Sequence, residues 1–219
     1  MSEDYKEAFE KTRVAGSIAA GALDEVAKII KPGIKTNKID EVCYNFIKDH
    51  GAYSAPLFYR GFPKSCCTST NHIVCHGIPS DKILNEGDIV NVDVTAFKDG
   101  WHGDTSRTFE IGEISVKAKK LVKTTHDAMM NAIKIVKENI YLGDIGATIQ
   151  SYVEAEGFSV VQDFCGHGIG ETFHKEPNVL HYGEKGSGEK IKTGMIFTIE
   201  PMINYGNYET KTLNDGWTA

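Results

Sequence analysis

Two β-rich runs around a tight turn signal are the feature that most constrains the fold of this chain. The runs cover residues 89–97 and 101–109, and the dipeptide Asp99-Gly100 lies between them. An Asp-Gly pair in that position is typical of a two-residue type I′ loop in a β-hairpin. The sequence therefore predicts an antiparallel hairpin with a defined register.

That register places two acidic residues on one face of the hairpin. Asp93 would oppose Ser106 and Asp104 would oppose Thr95, so the two acids are diagonal neighbours about 7–8 Å apart at the backbone. Carboxylates this close repel unless they share a proton or a divalent cation lies between them. A three-residue loop would reverse the faces unless Gly103 formed a β-bulge. Acids on a strand more often face solvent, and the hairpin alone leaves that alternative open.

A histidine between two glycines is the second candidate for chemistry. His167 lies in Gly166-His167-Gly168, and His174 follows shortly after. Glycine has no side-chain bulk, so backbone or a ligand can approach the imidazole closely. The alternative is a loop histidine that is hydrogen-bonded to backbone.

The third candidate is a glutamate at the end of an apolar run. Residues 194–199 are predicted as a strand that ends at Glu200, and Pro201 cannot donate a hydrogen bond to a sheet. A buried carboxylate needs a partner, for which a lysine would suffice. Together with the hairpin acids and the histidine, Glu200 offers oxygen-rich ligation with one imidazole. That set suits Mn, Fe(II) or Co(II), and also permits Zn, but it fits a structural cysteine-type zinc site poorly.

Helical periodicity predicts two helices in each half of the chain. Thr36 is predicted to cap the second helix, and Leu142-Gly143 is predicted as a break before the fourth. The repeated order predicts an α/β (α+β) fold in a single domain, 1–219, with duplicated halves of about 1–112 and 113–219. The four predicted helices cover residues of about 3–31, 36–50, 116–139 and 144–156.

Composition narrows the classes of partner. The formal net charge is −6 and no Lys/Arg-dense stripe occurs, which argues against binding to nucleic acid. No apolar stretch is long enough for a membrane span, so a cytoplasmic protein is expected. The five cysteines are an odd number without a Cys-x-x-Cys pair, which predicts reduced thiols. A Cys75-His76 nucleophile is disfavoured because adjacent strand residues point to opposite faces.

Five sequence blocks, in order across nearly the whole chain, resemble the signature blocks of type I methionine aminopeptidase. The resemblance implies the pita-bread α/β fold, with a pseudo-two-fold duplication, a central antiparallel sheet and outer helices. It also implies a metal-dependent enzyme that removes the initiator methionine from new proteins with a small second residue. The blocks are Asn71-His72-Ile73-Val74-Cys75-His76-Gly77-Ile78-Pro79, Asn91-Val92-Asp93-Val94, Gly103-Asp104-Thr105-Ser106, Gly166-His167-Gly168-Ile169-Gly170 and Thr198-Ile199-Glu200-Pro201-Met202.

The same resemblance implies a role for each site residue. Two divalent ions (Co, Mn, Fe(II) or Zn) would be held by Asp93, Asp104, His167 and Glu200, with Asp104 bridging both. Glu200 would also transfer protons, while His76 and His174 would contact the substrate. The expected partners are N-terminal peptides of nascent proteins near the ribosome, and the expected state is a monomer. The methionine pocket would include Tyr59, Phe62, Cys67, Phe173 and Trp217.

One departure from the family concerns the C-terminal end. Relatives complete the metal site with a second bridging glutamate in a segment similar to Ser-Ala-Gln-Tyr/Phe-Glu-His-Thr, and no such segment precedes Ala219. A truncated chain is therefore expected, with metal affinity lowered by at least about 10- to 100-fold. Two alternatives stay open: an Xaa-Pro-type aminopeptidase of the same fold, and a catalytically impaired peptide-binding domain.

Overall fold

The structure is a computed structural model that describes residues 3–219, and the chain forms two compact units. The first unit comprises the described residues up to Ser115, together with Gly170–Phe173 and Thr212–Ala219. The second comprises Val116–Ile169 and His174–Lys211. Among the helices described, none combines the length and apolar character that a bilayer crossing requires.

The first unit begins with two helices, α1 (Glu3–Ile29) and α2 (Thr36–Asp49), as the sequence predicts. Thr36, however, is the first helical residue, and Lys35 occupies the cap position. The Thr36 hydroxyl donates to the Ser80 carbonyl at 3.1 Å and accepts the Ser80 amide at 2.9 Å. The prediction that Thr36 caps α2 is wrong because this hydroxyl ties the helix to a distant loop instead.

The sheet of the first unit is built around the predicted hairpin. Strand β3 (Ile89–Lys98) pairs along its whole length with β4 (Trp101–Glu110), and Lys98 pairs with Trp101. Asp99 and Gly100 have φ values of 48° and 86°, which are the left-handed values that a type I′ turn requires. The predicted register is confirmed. Two shorter strands, β1 (Tyr53–Ser54) and β2 (Cys67–Thr70), pair antiparallel with β3.

Alternation along β3 separates a core face from a polar face. Val90, Val92 and Val94 are fully buried and belong to one apolar cluster with residues of α1 and α2. Since side chains alternate along a strand, Asp93 projects from the opposite face. The helices therefore cover one face of the sheet and leave the acids on the other. The helix residues of the cluster include Ile18, Ala19, Leu23, Val26, Ile39, Cys43 and Ile47.

Gly103 is explained by the approach of α1 rather than by a bulge. It pairs with Ala96 in an unbroken register. A Cβ atom at Gly103 would collide with the backbone of Ala15 and Gly16 in α1. The helix thus packs directly on the backbone of β4, which a larger residue would prevent.

The second unit repeats the order of two helices followed by short strands. Its helices are α3 (Val116–Ile135) and α4 (Leu142–Ala155), which pack with a second apolar cluster. The predicted break at Leu142-Gly143 is wrong, since both residues lie in the first turn of α4. Gly143 is needed there because a Cβ atom would meet the Glu184 carbonyl and Ser187. Asp144 accepts the Tyr141 amide at 2.8 Å and so satisfies the start of the helix. The strands of this unit are β5 (Ser159–Val160), β6 (Gly166–Gly168), β7 (Lys175–Val179) and β8 (Ile203–Asn204).

The apolar run before Glu200 forms no regular strand. Strand β6 pairs with β7, and residue Phe197 makes only an isolated bridge to Gly168. The Thr198 amide donates to the His167 carbonyl at 2.9 Å, so the run follows β6 as an extended segment. The prediction of a strand over residues 194–199 is therefore wrong, because the segment is extended but is not paired as a regular strand.

Candidate active site

The hairpin carries both predicted acids on its polar face. Asp93 lies opposite Ser106 on one side and opposite Cys67 of β2 on the other. Asp104 lies opposite Thr95, whose buried hydroxyl donates to Asp104 Oδ1 at 2.8 Å. This bond fixes the orientation of the Asp104 carboxylate. The predicted placement of the two acids on one face is confirmed by the register.

In the second unit, His167 and Glu200 lie side by side. His167 is buried in β6, and its Nε2 is 3.5 Å from Glu200 Oε1. The Thr198 hydroxyl donates to Glu200 Oε1 at 2.5 Å and accepts the His167 amide at 2.9 Å. His167 Nδ1 is 3.1 Å from the Gly168 carbonyl, which assigns the proton to Nδ1 and makes Nε2 the basic nitrogen. Thr198 and Gly168 thus orient both side chains.

Asp104 in the first unit, and His167 with Glu200 in the second, each offer an atom of a kind that binds metal ions in proteins. Within the second unit, the ligand atoms of His167 and Glu200 are close enough to bind one ion. The donors are two carboxylate oxygens and one imidazole nitrogen, which fits a divalent ion such as Mn, Fe(II), Co(II) or Zn. The bonds from Thr95 and Thr198 resemble the outer hydrogen bonds that orient metal ligands in proteins. Asp93 is not one of the three, although it shares the hairpin face of Asp104.

The aromatic residues predicted for the substrate pocket form two ring pairs in the first unit. The rings of Tyr59 and Phe173 are 5.0 Å apart, and those of Phe62 and Trp217 are 5.2 Å apart, edge to face. Cys67 is buried, and burial together with the Asp93 charge raises the pKa of its thiol well above the ordinary value. The thiol is therefore protonated at neutral pH. That these residues bind a substrate side chain stays a prediction.

The two histidines predicted to contact substrate differ in their surroundings. His76 lies in a loop with φ 56°, so the assumption of a strand at Cys75-His76 is wrong. Burial lowers the pKa of His76, and its ring is 6.3 Å from that of Trp217. His174 is exposed, and its ring centroid is 4.3 Å from that of His167. Their roles toward substrate also stay predictions.

One residue of the site, His181, was not predicted from the sequence. His181 is fully buried, and its Nε2 accepts the Glu200 amide at 3.1 Å. Burial lowers the pKa of His181 to about 4, so the ring is neutral. The apolar neighbours Val179 and Leu180 are consistent with a buried side chain at position 181. No local sequence pattern, however, indicates a hydrogen bond between His181 and Glu200.

Comparison with known proteins agrees with this geometry. The chain matches metallopeptidase family M24 over residues 10–218. It is 54% identical to a methionine aminopeptidase of Rickettsia prowazekii over 212 residues, covering 96% of this chain and 82% of that protein. The crystal structure of methionine aminopeptidase from Rickettsia prowazekii superposes with a TM-score of 0.96 at 53% identity, covering 97% of this chain and 86% of that one.

A more distant structure shares the fold alone. The X-Pro aminopeptidase from Thermotoga maritima has a TM-score of 0.73 at 23% identity, covering 90% of this chain and 53% of that one. The predicted α/β pita-bread fold is confirmed by these structural matches. The chain belongs to the methionine aminopeptidases of metallopeptidase family M24.

Proposed function

We propose that this chain is a metal-dependent aminopeptidase that removes the N-terminal methionine from proteins with a small second residue. The observation that carries the proposal is the pair of His167 and Glu200 in the second unit, whose ligand atoms lie 3.5 Å apart and whose glutamate is oriented by Thr198. Membership of a metallopeptidase family and 54% identity to a methionine aminopeptidase support the same reaction. The two aromatic ring pairs of the first unit support the choice of substrate.

The proposed metal centre holds two divalent ions of Co, Mn, Fe(II) or Zn. Asp93 and Asp104, which share one face of the hairpin, would join His167 and Glu200 as ligands. Asp104 would help to hold the ions, with its carboxylate oriented by Thr95. A bound divalent ion would supply Lewis acidity to the scissile carbonyl and lower the pKa of water in the site.

Side chains of the protein would then transfer protons and stabilise the developing negative charge. Glu200 would take up a proton and return it to the leaving amine, since its carboxylate lies beside His167 and is held by Thr198. His76 and His174 would donate hydrogen bonds to the carbonyl oxygen as negative charge develops there. The lowered pKa of His76 keeps its ring neutral, so it would act as a hydrogen-bond donor and not as a cation.

The methionine side chain would bind among aromatic rings. Phe62 is buried, and the ring pairs Tyr59–Phe173 and Phe62–Trp217 form an apolar lining in the first unit. An unbranched thioether contacts aromatic rings favourably and adapts to an irregular cavity. The protonated Cys67 would add a small apolar surface.

The proposal extends to the setting in which the enzyme acts. Its substrates would be the N-terminal peptides of nascent proteins near the ribosome, and the protein would act as a cytoplasmic monomer. The formal net charge of −6 supports a protein partner rather than nucleic acid.

Peptide cleavage tests the reaction directly. The chain is purified, treated with chelator and supplied with Mn(II) or Co(II), and the release of free amino acid from Met-Ala-Ser and Ala-Pro-Ala is measured. We expect methionine release from Met-Ala-Ser only, and none from the same peptide with an acetylated N-terminus. Cleavage of Ala-Pro-Ala alone would favour the Xaa-Pro alternative. Binding of Met-Ala-Ser without cleavage would favour the impaired peptide-binding domain.

A further inference from the structure

The buried side chain of His181 makes one hydrogen bond that is tied to the metal centre. The ring has no exposed surface, and its Nε2 accepts the backbone amide of Glu200 at 3.1 Å. Because Nε2 accepts, the ring proton resides on Nδ1. The imidazole is thus a fixed acceptor for the main chain of a proposed metal ligand.

The segment around Glu200 has little regular pairing to hold it. Phe197 makes an isolated bridge, and the Thr198 amide bonds to the His167 carbonyl, but no named strand includes residues 194–202. Pro201, the next residue, has no amide to donate. The Thr198 amide and the Met202 carbonyl are bonded to other backbone groups, so the bond to His181 fixes the stretch between them.

Packing alone does not explain a histidine at position 181. Its Nδ1 is buried and makes no hydrogen bond within the described structure. A buried polar atom without a partner costs stability, and an apolar side chain of similar volume would avoid that cost. A histidine at this position is explained by its Nε2, which accepts the hydrogen bond from the Glu200 amide.

We propose that His181 is a positioning residue that holds the backbone of Glu200 so that its carboxylate meets the metal ion. The inference rests on the proposed function only in assigning Glu200 as a ligand. His181 would act through Glu200 and not as a ligand itself. Its loss should therefore weaken metal binding through misplacement of Glu200.

Two substitutions separate positioning from simple packing. His181→Met removes the acceptor at nearly constant volume, whereas His181→Gln can place its amide oxygen near the position of Nε2. We expect His181→Met to weaken Mn(II) binding by about 10- to 100-fold, as loss of an outer partner of a metal ligand does. His181→Gln should restore most of that affinity. Isothermal titration of each chelator-treated protein with Mn(II) provides the measurement, and the visible spectrum of the Co(II)-loaded proteins reports the same ligand geometry.

Different results of these titrations and of the peptide assay would overturn the positioning role of His181 and the proposed function. Wild-type affinity for Mn(II) in His181→Met, or equal losses in the Met and Gln variants, would overturn the positioning role. Thermal unfolding of each variant verifies the fold, and His181→Asn, whose oxygen cannot reach the position of Nε2, replaces the Met variant if that one does not fold. A wild-type protein that binds Mn(II) but releases no methionine would overturn the proposed function and leave the comparison of affinities intact.

Discussion

The Thr95 hydroxyl donates to Asp104 Oδ1 at 2.8 Å from the position directly opposite in the β3–β4 ladder. Thr95 is buried within a paired strand, so its hydroxyl is held by the sheet itself. The orientation of a proposed metal ligand is thus set by the register of the hairpin. An Asp-Gly turn fixes that register. The turn sequence therefore determines that Thr95 lies opposite Asp104.

Thr95→Val should weaken metal binding while preserving the fold. The substitution keeps the shape of the side chain but removes the donor to Asp104, so the affinity for Mn(II) should fall by about 10- to 100-fold. Thr70→Val is the matched control, because the Thr70 hydroxyl is also buried in the sheet but makes no hydrogen bond. Titration calorimetry with Mn(II) compares the two. Equal affinities in both variants would show that the bond from Thr95 does not orient the ligand.

Gly103→Ala should destabilise the first unit. A methyl group there would collide with the backbone of α1, and overpacking of this kind costs roughly 1–3 kcal/mol of unfolding free energy. Gly16→Ala is the contrast: its added Cβ would meet nothing within 4 Å, and alanine in a helix is favoured over glycine by roughly 0.5–1 kcal/mol. Urea unfolding measures both. A Gly103→Ala protein as stable as the wild type would contradict the close packing of α1 on β4.

The stability of the chelator-treated protein should fall in mildly acidic solution because of His181. Burial lowers its pKa from the ordinary 6.5 to about 4 in the folded state. Between these pH values the unfolded chain binds a proton that the folded protein excludes, so the free energy of unfolding decreases as the pH falls from 6.5 towards 4. The full loss amounts to roughly 3 kcal/mol.

Comparison with a variant isolates this contribution from that of the other titrating groups. Urea unfolding of the wild type and of His181→Gln at about pH 7 and about pH 5 gives the difference in pH dependence. The wild type should lose more stability than the variant over that interval. An identical loss in the two proteins would mean that His181 is not buried in its neutral form.

Features set by local sequence were predictable. The hairpin, its register and the shared face of Asp93 and Asp104 follow from turn chemistry and from the two-residue alternation of strands. The helices of both units follow from apolar periodicity, with ends displaced by a few residues where tertiary contacts decide. The metal-ligand roles came from the resemblance to a family, because no local pattern of residues assigns them.

Features set by contacts between distant segments were not predictable. Thr36 contacts Ser80 instead of capping its helix, and Gly143 continues a helix because a loop packs against it. The irregular segment before Glu200 and its bond to His181 depend on how the chain returns past β6. No pattern within a short window of sequence encodes such contacts.

Mn(II) titration of Asp104→Ala and His76→Ala tests the central claim most directly. Asp104 is a proposed ligand of the ion, whereas His76 is proposed to contact the substrate. We therefore expect Asp104→Ala to lose both Mn(II) binding and methionine release, and His76→Ala to bind Mn(II) like the wild type while losing methionine release. Equal Mn(II) affinities in the two variants would contradict the claim that Asp104, His167 and Glu200 hold the ion.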